Sequence, residues 1–225
     1  HASRGEVLAL AEVVAARSGR PIQFASDYGL IGTEADTLRE LSILREVAGL
    51  GVPVYTPLQQ YPCQGGWRRL ANDITVMTDN GANIVFETCA RAIGVLMGLE
   101  ALVHPFSRHP SYMAIAELPL TQRVALMRTS EFRAKLLSEQ PVFGDGDARV
   151  RRRFEQMYRD TDRIFIIDTA ANYEPASSTS IRSIAEREQL SIEQVFYDAL
   201  IGRDGHQFLY LPIANFSNGN LDEQH

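Results

Sequence analysis

Residues 21–60 read PIQFASDYGLIGTEADTLRELSILREVAGLGVPVYTPLQQ, and this stretch decides the fold class. Pro21 opens a short β-prone run, Ile22-Gln23-Phe24-Ala25-Ser26. From Glu34 to Leu50 the apolar residues Leu38, Leu41, Leu44 and Val47 recur at helical spacing, and Gly51 closes that helix. Val52 to Thr56 returns to a strand. Upstream, Val7, Leu10, Ala11 and Val14 mark a helix between Glu6 and Ala16, with Gly19 as its terminator. Downstream, Trp67 to Met77 reads as a helix and Asn83 to Thr88 as a strand with Ile84-Val85-Phe86 at its centre. Strands that alternate with helices are joined by crossovers, so Ile22–Ser26, Val52–Thr56 and Ile84–Thr88 are expected to be adjacent and parallel, in an open sheet or a barrel. In a barrel the chemistry follows the strand ends, which directs attention to Ser26–Gly32, Gln59–Gly66 and Cys89–Arg91.

Beyond Glu100 the character changes. His104-Pro105-Phe106 to Pro110-Ser111-Tyr112 is a loop rich in proline and rings, followed by helices at Leu120–Met127 and near Glu131–Glu139. Gly144-Asp145-Gly146-Asp147 is a turn and the best candidate boundary, dividing the chain into residues 1–143 and a helical region, 144–225, that leads to a last strand. Within that region Arg163–Asp168 is a strand, Ile181–Glu188 a helix, Ser191 with Gln194 a capping box, and Phe208–Leu211 a last short strand. Arg149, Arg151, Arg152 and Arg153 form a dense basic run. Val150, Phe154, Met157 and Tyr158 recur beside them at i, i+4, i+7 and i+8, which makes the arginines the wet face of an amphipathic helix rather than an anion site.

The chain has 225 residues, 45% of them hydrophobic, a formal charge of −6 and a pI of about 5.4. That is enough apolar material for one large domain or two small ones, and the acidic balance gives no support to nucleic acid or an anionic membrane as partner. Two cysteines, Cys63 and Cys89, without an apolar run of ~18 residues, lead us to expect a soluble, reduced, cytoplasmic protein. The sequon Asn215-Phe216-Ser217 is read as chance. The chain opens on His1 and stops at His225 just after a loop, and we expect a fragment.

Particular residues carry a resemblance. His1-Ala2-Ser3-Arg4-Gly5-Glu6 opens a helix and is followed about 25 residues on by a strand ending at Ser26-Asp27. Arg91-Ala92-Ile93-Gly94-Val95-Leu96-Met97-Gly98-Leu99-Glu100, then His104-Pro105-Phe106, Pro110-Ser111-Tyr112, Arg123 and Arg133, follow in order. Asn172–Gly202 and Leu211–Leu221 complete the set. The chain resembles amidohydrolases of the D-aminoacylase type, the N-acyl-D-amino-acid deacylases, over nearly its whole length. The resemblance implies an α/β fold forming part of a (β/α)8 TIM-like barrel, with a helical insertion. It also implies His1 as a strand-end metal ligand, with Asp27 where that family has a second histidine, and alanine stands at Ala92 where its proline is usual. Aspartate can ligate zinc through oxygen but is a harder ligand than imidazole. The family's first-strand His-x-His, its bridging cysteine or lysine and the aspartate of its Ser-Asp-Gly segment are not in this sequence.

Two further groups have a substrate-binding reading and an ordinary one. Arg91 follows a strongly apolar strand, where a guanidinium could clasp a substrate carboxylate through a bidentate pair or form a structural salt bridge under the loop. Gln59, Gln60 and Tyr61 follow a strand and could hydrogen-bond a polar substrate, while a solvated glycine-rich loop explains them as well. Cys89 with His104 and His109 can be drawn as a nucleophile and base, but nothing in the sequence brings them together, and a buried cysteine is the commoner state.

The expected function is that of part of a metal-dependent amidohydrolase hydrolysing an N-acyl amino acid or similar small amide. Zinc would be bound in the complete enzyme and weakly or not at all by this chain alone, which is expected to be inactive by itself. Metal ligands are His1 and Asp27, and substrate-binding residues are Arg91, Gln60 and Tyr61. The chain is expected to form a homo-oligomer or to associate with the missing part of the barrel. The rival expectation is a catalytically inert, barrel-derived binding or scaffold module, favoured by Asp27 in place of histidine.

Overall fold

The computed structural model describes residues 2–17, 19–25, 34–58, 67–89, 92–167 and 170–216. It is a mixed α/β chain whose residues cluster into two compact units, with the chain passing between them at Ile93/Gly94 and again at Pro212/Ile213.

The first unit contains α1 (Arg4–Arg17), β1 (Ile22–Gln23), α2 (Glu34–Gly49), β2 (Val54–Pro57), α3 (Trp67–Asp79) and β3 (Ile84–Glu87). The expected alternation is borne out. The strands form a parallel sheet in the order β1-β2-β3, with Ile22 opposite Val54 and Val54 opposite Ile84. Because side chains alternate across a strand, this register puts Ile22, Val54 and Ile84 on one face and Gln23, Tyr55 and Val85 on the other. The first face is packed by Ala11 of α1, by Leu41, Leu44, Val47 and Ala48 of α2, and by Leu70, Ile74 and Met77 of α3. Leu44, Val47, Val54 and Ile74 are fully buried, each contributing roughly 1.5–3 kcal/mol of transfer free energy. Among the described residues no helix packs on the second face, and Val85 keeps 40% of its surface.

Two expected stripe positions lie outside the core. Leu38 is 52% exposed and Leu10 is 61% exposed. A run of i+3 steps falls about 60° short of a full turn each time, so the series Leu38, Leu41, Leu44, Val47 walks half-way round the helix. Its first member points away, and Ala48 takes the place on the buried face. On α1, Leu8 packs against the core in place of Leu10. Arg4 in the first turn of α1 is paired with Glu46 in the last turn of α2, with Arg4 Nε donating to Glu46 Oε1 at 3.2 Å. The start of α1 therefore lies against the end of α2, whereas consecutive helices of a regular βα run lie start beside start.

The second unit is built on β4 (Ile93–Met97), β5 (Phe165–Ile166) and β6 (Leu209–Ala214) in the order β4-β6-β5. Around this sheet come α4 (Pro110–Met113), α5 (Leu120–Met127), α6 (Ser130–Ser138), α7 (Ala148–Arg159), α8 (Ile181–Glu188) and α9 (Ile192–Leu200). The Ser191/Gln194 capping box forms at the start of α9, and that helix buries Val195, Phe196, Tyr197, Ala199 and Leu200. On α7, Phe154 and Met157 are buried while Arg151 and Arg152 are exposed, as the amphipathic reading requires. Arg151 lies over the Phe143 ring, 5.3 Å from its centroid. The Gly144–Asp147 turn lies inside this unit, and Asp147 Oδ2 accepts from the Gly144 amide.

β4 was not expected as a strand; Gly94 lies within it and Gly98 directly after it. The structure supplies their reason. A Cβ at Gly94 would lie 2.4 Å from Tyr210 Cε2 and 2.8 Å from Leu211 O, and one at Gly98 would lie 2.9 Å from Phe208 Cδ1. The contacts run in opposite directions along the two chains, so β6 passes close beside β4 and antiparallel to it. On its other side β6 pairs with only two residues of β5, Phe165 opposite Tyr210 and Ile166 opposite Leu209. Pro212, two residues on, faces the side where β5 has ended, so its missing N–H removes no ladder bond. Its carbonyl instead accepts from Arg163 Nη2 at 2.6 Å.

Candidate functional site

The C-terminal ends of β1, β2 and β3 lie at one edge of the parallel sheet. The ladder continues past the strands, with the Phe24 amide donating to Tyr55 O at 2.8 Å and the Leu58 amide to Glu87 O at 2.9 Å. Thr88 Oγ1 donates to Leu58 O at 2.8 Å, tying the exit of β3 to that of β2. The residues that leave this edge in the chain lead within a few positions to Asp27, Gln60, Tyr61 and Arg91. Those four and His1 lie outside the described residues. The structure therefore brings together the strand ends that precede Asp27, Gln60 and Arg91, and describes none of the five side chains.

Sequence reasoning passed over two residues on the open face of the same sheet. Gln23 at the end of β1 donates from Nε2 to Glu87 Oε2 at the end of β3, at 2.6 Å. The bond passes over the intervening strand on the side of Tyr55 and Pro57. The signal was present in the pattern: within an alternating strand, Gln23 and Glu87 stand out of phase with the buried Ile22 and Ile84. Cys89 just beyond is exposed, correcting the expectation of a buried thiol. Its carbonyl accepts from Asn215 Nδ2 at 3.1 Å. Asn215 is fully buried, so the sequon asparagine is occupied within the fold.

His104 and His109 belong to the second unit and are buried there. His104 Nδ1 accepts from the Phe106 amide at 3.2 Å, and its ring stands edge-on to Tyr112 with centroids 4.3 Å apart. Arg123 Nη1 donates to Tyr112 Oη at 2.7 Å and to Leu99 O at 2.6 Å. Burial foremost, with the positive charges of Arg123 and His109 adding to it, lowers the His104 pKa to about 3. Burial also lowers His109, against an opposing pull from Glu139. Glu139 holds the start of α4 by accepting from the Ser111 amide at 2.9 Å. These groups are neutral structural histidines locked by backbone and ring contacts, and Cys89 belongs to the other unit.

Among the described residues no group of three or more His, Cys, Asp or Glu side chains is placed to hold a metal, so they do not by themselves fit the zinc that the resemblance implies. No helix among them is long and apolar enough to cross a membrane. Comparison of the chain with protein-family models, with curated proteins and with solved structures finds no match.

Proposed function

We propose that the chain is part of a metal-dependent amidohydrolase barrel that hydrolyses an N-acyl amino acid or similar small amide. One observation carries this reading. Among the described residues, helices pack on one face of the three parallel strands, the other face carries Gln23, Tyr55 and Glu87 beside Val85, and the C-terminal strand ends are gathered at one edge. Parallel sheets ordinarily have both faces covered. A section of a (β/α)8 barrel has its helices outside and its second face turned to the barrel interior, where substrate is met beyond the strand ends. In this reading Arg91 holds the substrate carboxylate, and Gln60 and Tyr61 hydrogen-bond its polar groups. The chain's own contribution to zinc is at most His1 and Asp27, short of the three protein ligands a catalytic zinc keeps, so hydrolysis belongs to the complete protein. The remaining barrel, or a second copy, covers the open face.

The test is release of free amino acid from N-acetyl amino acids by the full-length protein, with and without added zinc. Zinc-dependent turnover supports the reading. The substitution of Asp27 for histidine favours an inert binding module instead, and ligand binding without turnover at any zinc concentration would establish that alternative.

A further inference from the structure

Resting on the amidohydrolase reading, we propose that Glu87, braced by Gln23 across β2, is a ligand-facing acceptor that takes the amide N–H of the bound N-acyl amino acid.

The placement comes from register. Glu87 is the last residue of β3 and pairs with Pro57, the last of β2, so it stands at the edge where the three strand ends meet. Counting by twos from the buried Ile84 puts Glu87 on the face turned away from the helices, with Gln23, Tyr55 and Val85. A carboxylate on the open face of a parallel sheet is unusual, since such strands are ordinarily apolar on both sides. It is also oriented. The 2.6 Å bond from Gln23 fixes Oε2, and it does so from a strand that is not β3's neighbour, so the carboxylate is held over β2 rather than left to swing. The bond with Gln23 is open to solvent, so the other carboxylate oxygen is accessible to a ligand. A fixed carboxylate accepts and does not donate, so it selects a ligand donor. In an N-acyl amino acid that donor is the amide N–H, one bond from the scissile carbonyl carbon. Orientation of that group sets the angle at which the carbonyl is presented.

The assay uses the full-length protein and two probes, N-acetyl-DL-leucine, which carries an amide N–H, and N-acetyl-DL-proline, which carries none. Binding is measured by calorimetry and turnover by amino-acid release. The expected result is that Glu87→Ala weakens binding or kcat/KM for the leucine probe by about 10- to 100-fold, the range of a lost charged hydrogen bond. The proline probe should be nearly unaffected. Glu87→Gln keeps one acceptor oxygen, enough for Gln23 or for the ligand but not for both in the wild-type geometry, and should fall between wild type and Glu87→Ala. It also serves as the folded variant if the alanine form does not fold. Equal losses on both probes in either variant, or none on either, would overturn the assignment of Glu87 and leave the amidohydrolase reading standing. Wild-type protein that neither binds nor turns over either probe would overturn both.

Discussion

Replacing Gly94 by alanine adds one methyl group at the closest approach of β4 to β6. The new Cβ would lie 2.4 Å from Tyr210 Cε2 and 2.8 Å from the Leu211 carbonyl oxygen. Neither neighbour yields easily. Tyr210 is buried and stands edge-on to Tyr173 at 5.4 Å, and the carbonyl belongs to the central strand of the sheet. Overpacking of this kind costs about 1–3 kcal/mol. Against it, alanine restricts the unfolded chain and returns about 0.4–1 kcal/mol. The steric cost wins, and Gly94→Ala should be net destabilising by roughly 1–2 kcal/mol, a fall in Tm of several degrees at about 2–8 °C per kcal/mol. Gly5→Ala is the matched control: it sits in the first turn of α1 with nothing within 4 Å of the added atom, and should raise stability by about 0.5–1 kcal/mol. Urea denaturation followed by circular dichroism gives the midpoints, and amide hydrogen exchange at Leu209–Leu211 localises the effect. A Gly94→Ala midpoint equal to or above wild type would refute the close-packing account of β4.

Three further outcomes are expected. His104 binds a proton far less readily folded than unfolded, so the folded state takes up fewer protons between its native value of about 3 and the ordinary 6.5. Stability from this group is complete above pH 6.5 and declines as pH falls towards 3, by a few kcal/mol, and urea midpoints measured from pH 7 to 4 should decline less steeply in His104→Gln. Ser191→Ala removes the acceptor of the Gln194 amide in the capping box and should cost about 0.5–2 kcal/mol, read as a lower urea midpoint. Arg91→Lys keeps charge but loses the planar fork, and should lower kcat/KM by roughly 1.5–3 kcal/mol with Tm nearly unchanged if Arg91 clasps substrate. A large fall in Tm with turnover intact would show a structural salt bridge instead.

The parts of the fold legible in the sequence were those governed by local periodicity. The order of α1 to β3, the bounds of α8 and the capping box of α9 follow from spacing within a dozen residues, and the parallel pairing of the strands follows from the helical crossovers between them. The parts that were not legible depend on distant partners. β4 was obscured by Gly94 and Gly98, whose requirement is set by Tyr210 and Phe208, more than a hundred residues on. The last strand runs past Leu211 through Pro212 because β5 stops early and Arg163 takes the proline carbonyl. The setting of α1 depends on Ala11, Val7, Leu8 and Val14 meeting a core drawn from α2 and α3, with Arg4 paired to Glu46 at its start. At the candidate site, the convergence of the strand ends was readable from the alternation alone. The brace between Gln23 and Glu87 was not, since it joins strands that are not neighbours and depends on register.

The Asn215–Cys89 bond closes a loop in the chain. Cys89 precedes the second unit and Asn215 follows it, and Ile213–Phe216 rejoins the first unit after an excursion from Gly94 to Pro212. During synthesis that bond can form only after the residues of the second unit have been made, on the order of ten seconds after Cys89 at ~5–20 residues per second. The core of the first unit draws only on residues from Val7 to Ile84, so its assembly need not wait for the closing segment.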